Sequence, residues 1–342
     1  MSAFATTLLL VVAAGPQAPA RSPRTAVVFA GPAMGTRYSV QVVMVPGDAA
    51  AEQHVRAAIA GELARVDRLL SRWNPASELS RFNALRSTEP FAVSAEMADT
   101  VLVARRVAER TGGAFDPTVG PLVEAWGFGP STRPPAVPSV EELAAARARV
   151  GYAMVSVDPA RPSIRKARPD VALDLDGLAG GWVADRIASA LVALGHQDVL
   201  VDAGGEVSAR GRRADGQHWR VAVESPGSAS AARGPVIDLD DAAVTTSGDY
   251  RAFWTDGQGR RRSHTVDPRT GEPIAHGLAS ATVVHPDGAW ADALDTALLV
   301  LGPAEARAFA MREHLTARLV ERRADGTYAE WSTPSFQALA GH

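Results

Sequence analysis

Asp292 and Thr296 stand four residues apart in 290–301, a segment whose leucines at 294, 298 and 301 recur at helical spacing before Gly302. On a helix that spacing puts a carboxylate and a hydroxyl on one face. Two hard oxygens side by side suit Mg²⁺, which takes few protein ligands and completes its shell with water or phosphate oxygens. An isolated pair of this kind also describes a solvated helix face, so the rest of the chain has to decide. A second group is 263–271 (SHTVDPRTG), which places His264 and Asp267 on either side of a turn. A histidine there can act as a base or as a satisfied structural donor. No GxSxG and no HExxH occurs, which excludes the serine-hydrolase and zincin patterns.

Glycine-rich turns recur at 112–113, at 177 with 180–181, at 204–205 and at 246–248. Each brings backbone N–H groups to where a phosphate or another backbone can approach closely. None follows the Rossmann or P-loop pattern, and a tight structural turn accounts for any one of them. Trp73, Phe115, Trp126 and Phe128 lie in or near loops, where an aromatic side chain can face a planar ligand or pack in the core.

The elements that must position these groups follow from periodicity. Strand composition marks 38–45, and Val55, Ile59, Leu63, Val66 and Leu70 mark an amphipathic helix. A second helix starts near Ser94 and stops at Gly112, and Ser139 to Glu142 has capping-box spacing for a third. The pattern predicts a strand over 170–176 and a helix over 179–194. Further strands are predicted at 199–202, 219–224, 236–239, 250–254 and 278–284. Hairpin-like pairs mixed with strand–helix alternation indicate an α+β fold with mixed or antiparallel sheets rather than a doubly wound parallel sheet.

A chain of 342 residues can bury a large core, and its net charge of −3 without a basic run argues against a nucleic-acid binder. With no cysteine, thiol catalysis, disulfides, Cys-ligated metal and lipoprotein attachment are excluded. The apolar run 4–14 followed by small residues at 18–20 reads as a signal peptide, although no Lys or Arg precedes it. We therefore expect residues 1–25 to form a targeting segment or membrane-proximal anchor with a linker, and 26–342 to form the functional domain. Export to the periplasm or cell envelope follows if that segment works as a signal, and a cytoplasmic protein if it does not.

Taken together, the sequence resembles the ApbE family of FAD:protein FMN transferases. The matching stretches are 34–38 (MGTRY), 71–83 (SRWNPASELSRFN), 113–122 (GAFDPTVGPL) with 126–129 (WGFG), and 174–177 (DLDG) running to Asp185 and Arg186. They continue with 202–205 (DAGG), 246–250 (TSGDY), 264–271 (HTVDPRTG) and 291–296 (ADALDT). Each is weak alone, and their common order from Met34 to about Gly302 carries the resemblance.

The resemblance implies a two-lobed α+β fold with FAD between the lobes and one Mg²⁺ on its pyrophosphate. The implied metal ligands are Asp292, Thr296 and a backbone carbonyl near Gly177. Met34, Trp73, Ala114, Phe115, Asp116, Asp174 and Thr246 would line the FAD site, and His264 would sit near the reacting phosphate. The implied reaction is attack of an acceptor protein's Thr or Ser hydroxyl on the FMN-side phosphorus, with AMP leaving. The acceptor would be a flavoprotein of electron-transfer type. His264 is the first candidate for the base and Asp267 the second. An FAD pyrophosphatase giving FMN and AMP, or a flavin-binding protein without catalysis, are the alternative outcomes. The chain departs from the family pattern at Gly180, which occupies a usual lysine position, and Trp182 beside it offers stacking without charge.

Overall fold

A computed structural model describes residues 24–130, 133–226 and 234–340. The apolar run 4–14 and the small residues at 18–20 lie outside these. The targeting segment and linker expected over 1–25 do not extend to its last residue, because Thr25 already opens the first strand.

An antiparallel sheet of eight strands forms the frame. Its spatial order is Thr25–Ala33, Thr36–Met44, Val199–Ala203, Glu206–Arg210, Ala243–Gly248, Leu278–His285, Thr316–Arg322 and Tyr328–Ser332. Two of its hairpins turn in two residues. Met34 and Gly35 (φ 51° and 75°) join Ala33 to its partner Thr36, and Gly204 and Gly205 (φ 84° and 111°) join Ala203 to Glu206. Positive φ at both turn residues matches the twist of the paired strands, and Met34 accepts a conformation that glycine adopts freely. Because Tyr38 pairs with Ala203, the two turns emerge at the same end of the sheet.

Successive side chains on a strand point to opposite faces, and the sheet is buried on both. On one face Val40, Val42, Val201, Ala281 and Val283 pack under the helices Asp176–Ala193 and Gly288–Arg312. On the other, Val43, Val207 and Val244 meet Trp219, Ile237 and Phe336, which come from a two-stranded ladder (Trp219–Ala222 with Val236–Leu239) and the helix Pro334–Ala340. The two long helices cross almost backbone to backbone. A Cβ on Gly181 would lie 2.0 Å from the Gly288 carbonyl oxygen, so only glycine fits that crossing.

The second lobe comprises the helices Ala49–Leu70, Glu78–Ala84 and Ala95–Arg110 with a three-stranded sheet (Phe91–Ala92, Ser163–Lys166, Val155–Asp158). Leu79, Phe82, Met97, Val101 and Ile164 join the same core as Leu178 and Leu294. Each fully buried side chain of this size contributes about 2 kcal/mol relative to leaving it in water.

Three expectations shift. The stretch 171–175 pairs with no strand, and Asp176 already opens the helix Asp176–Ala193. The Asn83 side chain takes the place of a neighbouring strand, accepting from Leu173 N–H (2.7 Å) and donating to Leu173 O (2.8 Å). The buried Lys166 Nζ holds the same stretch by donating to Val171 O and Phe82 O. The 246–248 turn is instead the end of the strand Ala243–Gly248, and the strand expected at 250–254 begins only at Phe253, because Tyr250 and Arg251 are in a turn. Among the described residues no helix is long and apolar enough to cross a membrane.

Candidate active site

Between the lobes the surface sinks into two joined chambers. The larger, of about 800 Å³, is walled by Met34, Trp73, Gly180 and Gly204 among others, and the smaller, of about 300 Å³, by Ala114, Phe115, Asp116, Phe128, Thr246 and His264. Asp176, Glu206, Arg251 and Asp292 line both, so they form the waist of one cleft. Trp73 is 70% exposed and Met34 49%, an unusual presentation of large apolar groups at a cleft mouth.

Asp287 caps the helix that carries Asp292, accepting from Trp290 N–H. Gly302 (φ 76°) breaks its helical course where the sequence predicts a stop. Leu294 and Leu298 face the core. Asp292 and Thr296 face the start of the Asp176–Ala193 helix, which is kinked at Gly177 (φ −77°, ψ 15°). The Gly181 N–H, which a regular helix would give to the Gly177 carbonyl, donates to Asp292 Oδ2 at 2.9 Å. A Cβ on Gly177 would be 3.4 Å from Thr296 Oγ1, so the Gly177 backbone and the Thr296 hydroxyl are neighbours. Ser247 Oγ lies 3.0 Å from Thr296 Oγ1 and donates to Asp295 Oδ1 at 2.8 Å. Asp295 is therefore a buried support rather than a solvent-facing charge.

This waist is short of positive charge. Burial raises Asp292 well above the usual carboxylate range, and Asp295 and Glu206 add to the effect. Burial pushes Asp295 up to about 8, and burial together with Asp202 and Glu224 raises Glu206. Charged carboxylates crowded in a poorly solvated site favour protonation or a cation. Among the described residues no three His, Asp or Glu side chains could hold a metal ion. What the face of Asp292 and Thr296 offers is one carboxylate, one hydroxyl and the neighbouring Gly177 backbone, a donor set that suits Mg²⁺ retaining water or phosphate oxygens.

His264 lines the smaller chamber, with Phe128 edge-on at 6.3 Å. Its Nδ1 is 2.9 Å from the Ala252 carbonyl. A carbonyl only accepts, so Nδ1 carries the proton and Nε2 keeps a lone pair. Burial lowers the His264 pKa, favouring that neutral form.

The ApbE family model matches residues 34–319. The chain belongs to the ApbE family. A relative named FAD:protein FMN transferase from Klebsiella pneumoniae is 38% identical over 94% of this chain and 91% of its own. One of the same name from Escherichia coli K12 is 37% identical with the same coverage. Among solved structures, a flavin transferase ApbE from Vibrio cholerae is 36% identical and superposes with a TM-score of 0.84 over 93% of this chain and all of that one. The apo form of a Pseudomonas stutzeri flavinyl transferase ApbE is 37% identical, with a TM-score of 0.84 over 93% and 98%.

Within this ApbE fold, most of the residues singled out from sequence come together on the cleft, namely Met34, Trp73, Ala114, Phe115, Asp116, Asp174, Gly177, Gly180, Thr246, His264, Asp292 and Thr296. Two of its carboxylates serve structure. Asp116 accepts from Thr118 N–H, Thr118 Oγ1 and Tyr152 N–H, and Asp174 is closed on by Arg72. Asp267 does not belong with the cleft residues. Its carboxylate accepts from the Arg269 backbone (2.8 Å) and from Arg269 Nε and Nη2 (3.0 and 2.9 Å), which removes it as a base. Trp126 is core, its Nε1 donating to Gly271 O. Trp182 faces a separate hollow beside Arg186 and cannot stack in the cleft. Sequence reasoning missed Glu206, Ser247 and Arg251. All three sit inside or beside recognised motifs, but nothing local says that their side chains face the same cleft as Asp292.

Proposed function

We propose that this chain is a Mg²⁺-dependent FAD:protein FMN transferase. One observation carries the reading: on a single cleft of dinucleotide scale, the Asp292–Thr296–Gly177 oxygen cluster stands at the waist and neutral His264 on one wall. The exposed ring of Trp73 and the Met34 side chain offer an apolar rest for a planar ring system, and Phe115 and Phe128 line the other chamber.

In the reaction, the hydroxyl of a Thr or Ser on an electron-transfer type acceptor protein attacks the FMN-side phosphorus. A phosphoester bond forms, the bond to the bridging oxygen breaks, and AMP carries that oxygen away. His264 Nε2 takes the hydroxyl proton, and the Ala252 carbonyl keeps the ring in the tautomer that can do so. Mg²⁺ held by Asp292, Thr296 and the Gly177 carbonyl would supply Lewis-acid charge stabilisation at the pyrophosphate. The Gly181 backbone N–H and the Ser247 hydroxyl hold Asp292 and Thr296 in place for that role.

The test is to incubate the purified protein with FAD, Mg²⁺ and a candidate acceptor, then to look for flavin fluorescence on the acceptor band of a denaturing gel. Labelled acceptor is expected. FMN and AMP without label would make the protein a pyrophosphatase, and unchanged FAD would sink both enzyme readings. In the same assay Asp292→Ala is expected to lose its response to added Mg²⁺, and an unaltered Mg²⁺ titration would refute the metal assignment.

A further inference from the structure

A pyrophosphate brings about two negative charges, and the waist of the cleft is already walled by Asp176, Glu206 and Asp292. Binding such an anion there calls for a compensating cation on the wall itself, whether or not a metal ion is also held. Gly180, part of that wall, contributes none. A Cβ at Gly180 would lie 2.9 Å from Glu206 Cγ, so a carboxylate side chain occupies the space in front of it.

Among the described residues lining the two chambers, Arg251 is the only arginine or lysine. It lies in the turn that follows the strand Ala243–Gly248 and stands where the chambers join. Its contacts are long: Nη1 to Gly204 O at 3.3 Å, Nη2 to Glu224 Oε2 at 3.4 Å, and Nη1 to Glu206 Oε1 at 3.9 Å. Neighbouring arginines are held more tightly elsewhere. Arg72 is closed on Asp174, Arg269 binds Asp267 at 2.9 Å, and Arg261 and Arg322 both bind Asp249 at 2.9 Å. Arg251 is thus the cation of this region with the least to lose by turning to a ligand.

We propose that Arg251 binds the FAD pyrophosphate, supplying from the sheet side of the waist the positive charge that the Gly180 wall lacks. The inference rests on the cleft being an FAD site. The planar guanidinium can give two parallel N–H donors to phosphate oxygens while still screening Glu206 from the anion. Before binding, the loose pairs to Glu206 and Glu224 hold the guanidinium at the mouth of both chambers.

Titrations that follow flavin fluorescence test this without turnover. FAD and riboflavin, which lacks phosphate, are each titrated into the parent, Arg251→Met and Arg251→Lys in Mg²⁺-free buffer. Arg251→Met is expected to weaken FAD about 10- to 100-fold, the range for losing a charged hydrogen-bonding partner. Riboflavin should change by less than about twofold, since it offers no phosphate. Arg251→Lys should fall between, keeping the charge without the fork. Adding Gly180→Lys to Arg251→Met should recover part of the FAD affinity, because the atom it crowds belongs to the movable Glu206 side chain. If Arg251→Met does not fold, Arg251→Gln carries the same comparison. FAD affinity unchanged in the Met or Gln variant, or an equal loss for FAD and riboflavin, overturns the role of Arg251 and leaves the cleft reading standing. A parent protein that binds neither flavin overturns the cleft reading itself.

Discussion

His264 shows how one ring acquires a role from its surroundings. Burial lowers its pKa, with the charge of Arg251 pressing the same way and the Ala252 carbonyl partly opposing. The folded pKa therefore lies below the ordinary 6.5, and the neutral base persists as pH falls past that value. The acid limb of the rate–pH profile for flavin transfer is expected below pH 6.5, and a limb at or above it would contradict the assignment. His264→Ala should lower kcat by about 10²- to 10⁴-fold, the usual contribution of a positioned base. Rapid-quench measurement of FMN transfer checks this, and a loss smaller than tenfold would move the base elsewhere. Asp267 is the instructive contrast. Its sequence neighbourhood suggests a second base, yet Arg269, two residues on, takes both its oxygens.

The site depends on the crossing of the helices Asp176–Ala193 and Gly288–Arg312. Their glycine contact lets Gly181 N–H reach Asp292 and brings the Gly177 backbone beside Thr296. A methyl at 181 would meet the Gly288 carbonyl at 2.0 Å, and backbone cannot yield as a side-chain tip can. Gly181→Ala is expected to cost about 1–3 kcal/mol, the range for overpacking a close contact. A urea titration should show the loss as a lower midpoint at unchanged slope. A midpoint equal to that of the parent would mean the helices stand further apart than described. The helical spacing of Asp292 and Thr296 was legible in the sequence because it is set by the 3.6-residue turn alone. The unpaired course of 171–175 was not, because Leu173 finds its partner in the side chain of Asn83 from a distant helix.

Across the molecule, the buried acids tie stability to pH. Asp295 has a folded pKa of about 8 against 3.8 in the unfolded chain. The folded state therefore holds a proton that the unfolded state releases between those values. The contribution is full below about pH 4 and is lost as pH rises through about 8. In metal-free buffer, Asp295→Asn, which cannot ionise, should gain in melting temperature relative to the parent on going from pH 5 to pH 8. Parallel melting curves at both pH values would refute the shift.

Composition and local pattern were enough for the ordered motifs, the α+β balance, the absence of thiol chemistry and the shared face of Asp292 and Thr296. Those depend on composition, local period and turn chemistry, which act over a few residues. It took the tertiary structure to bring Glu206, Ser247 and Arg251 to the cleft, turn Trp182 away, withdraw Asp267 and leave Arg251, among the described residues, as the one arginine or lysine lining the chambers. The physical reason is distance along the chain. Which side chains meet at the cleft depends on sheet register and on one helix crossing, contacts between segments more than 100 residues apart such as Gly181 and Asp292, which no local pattern encodes.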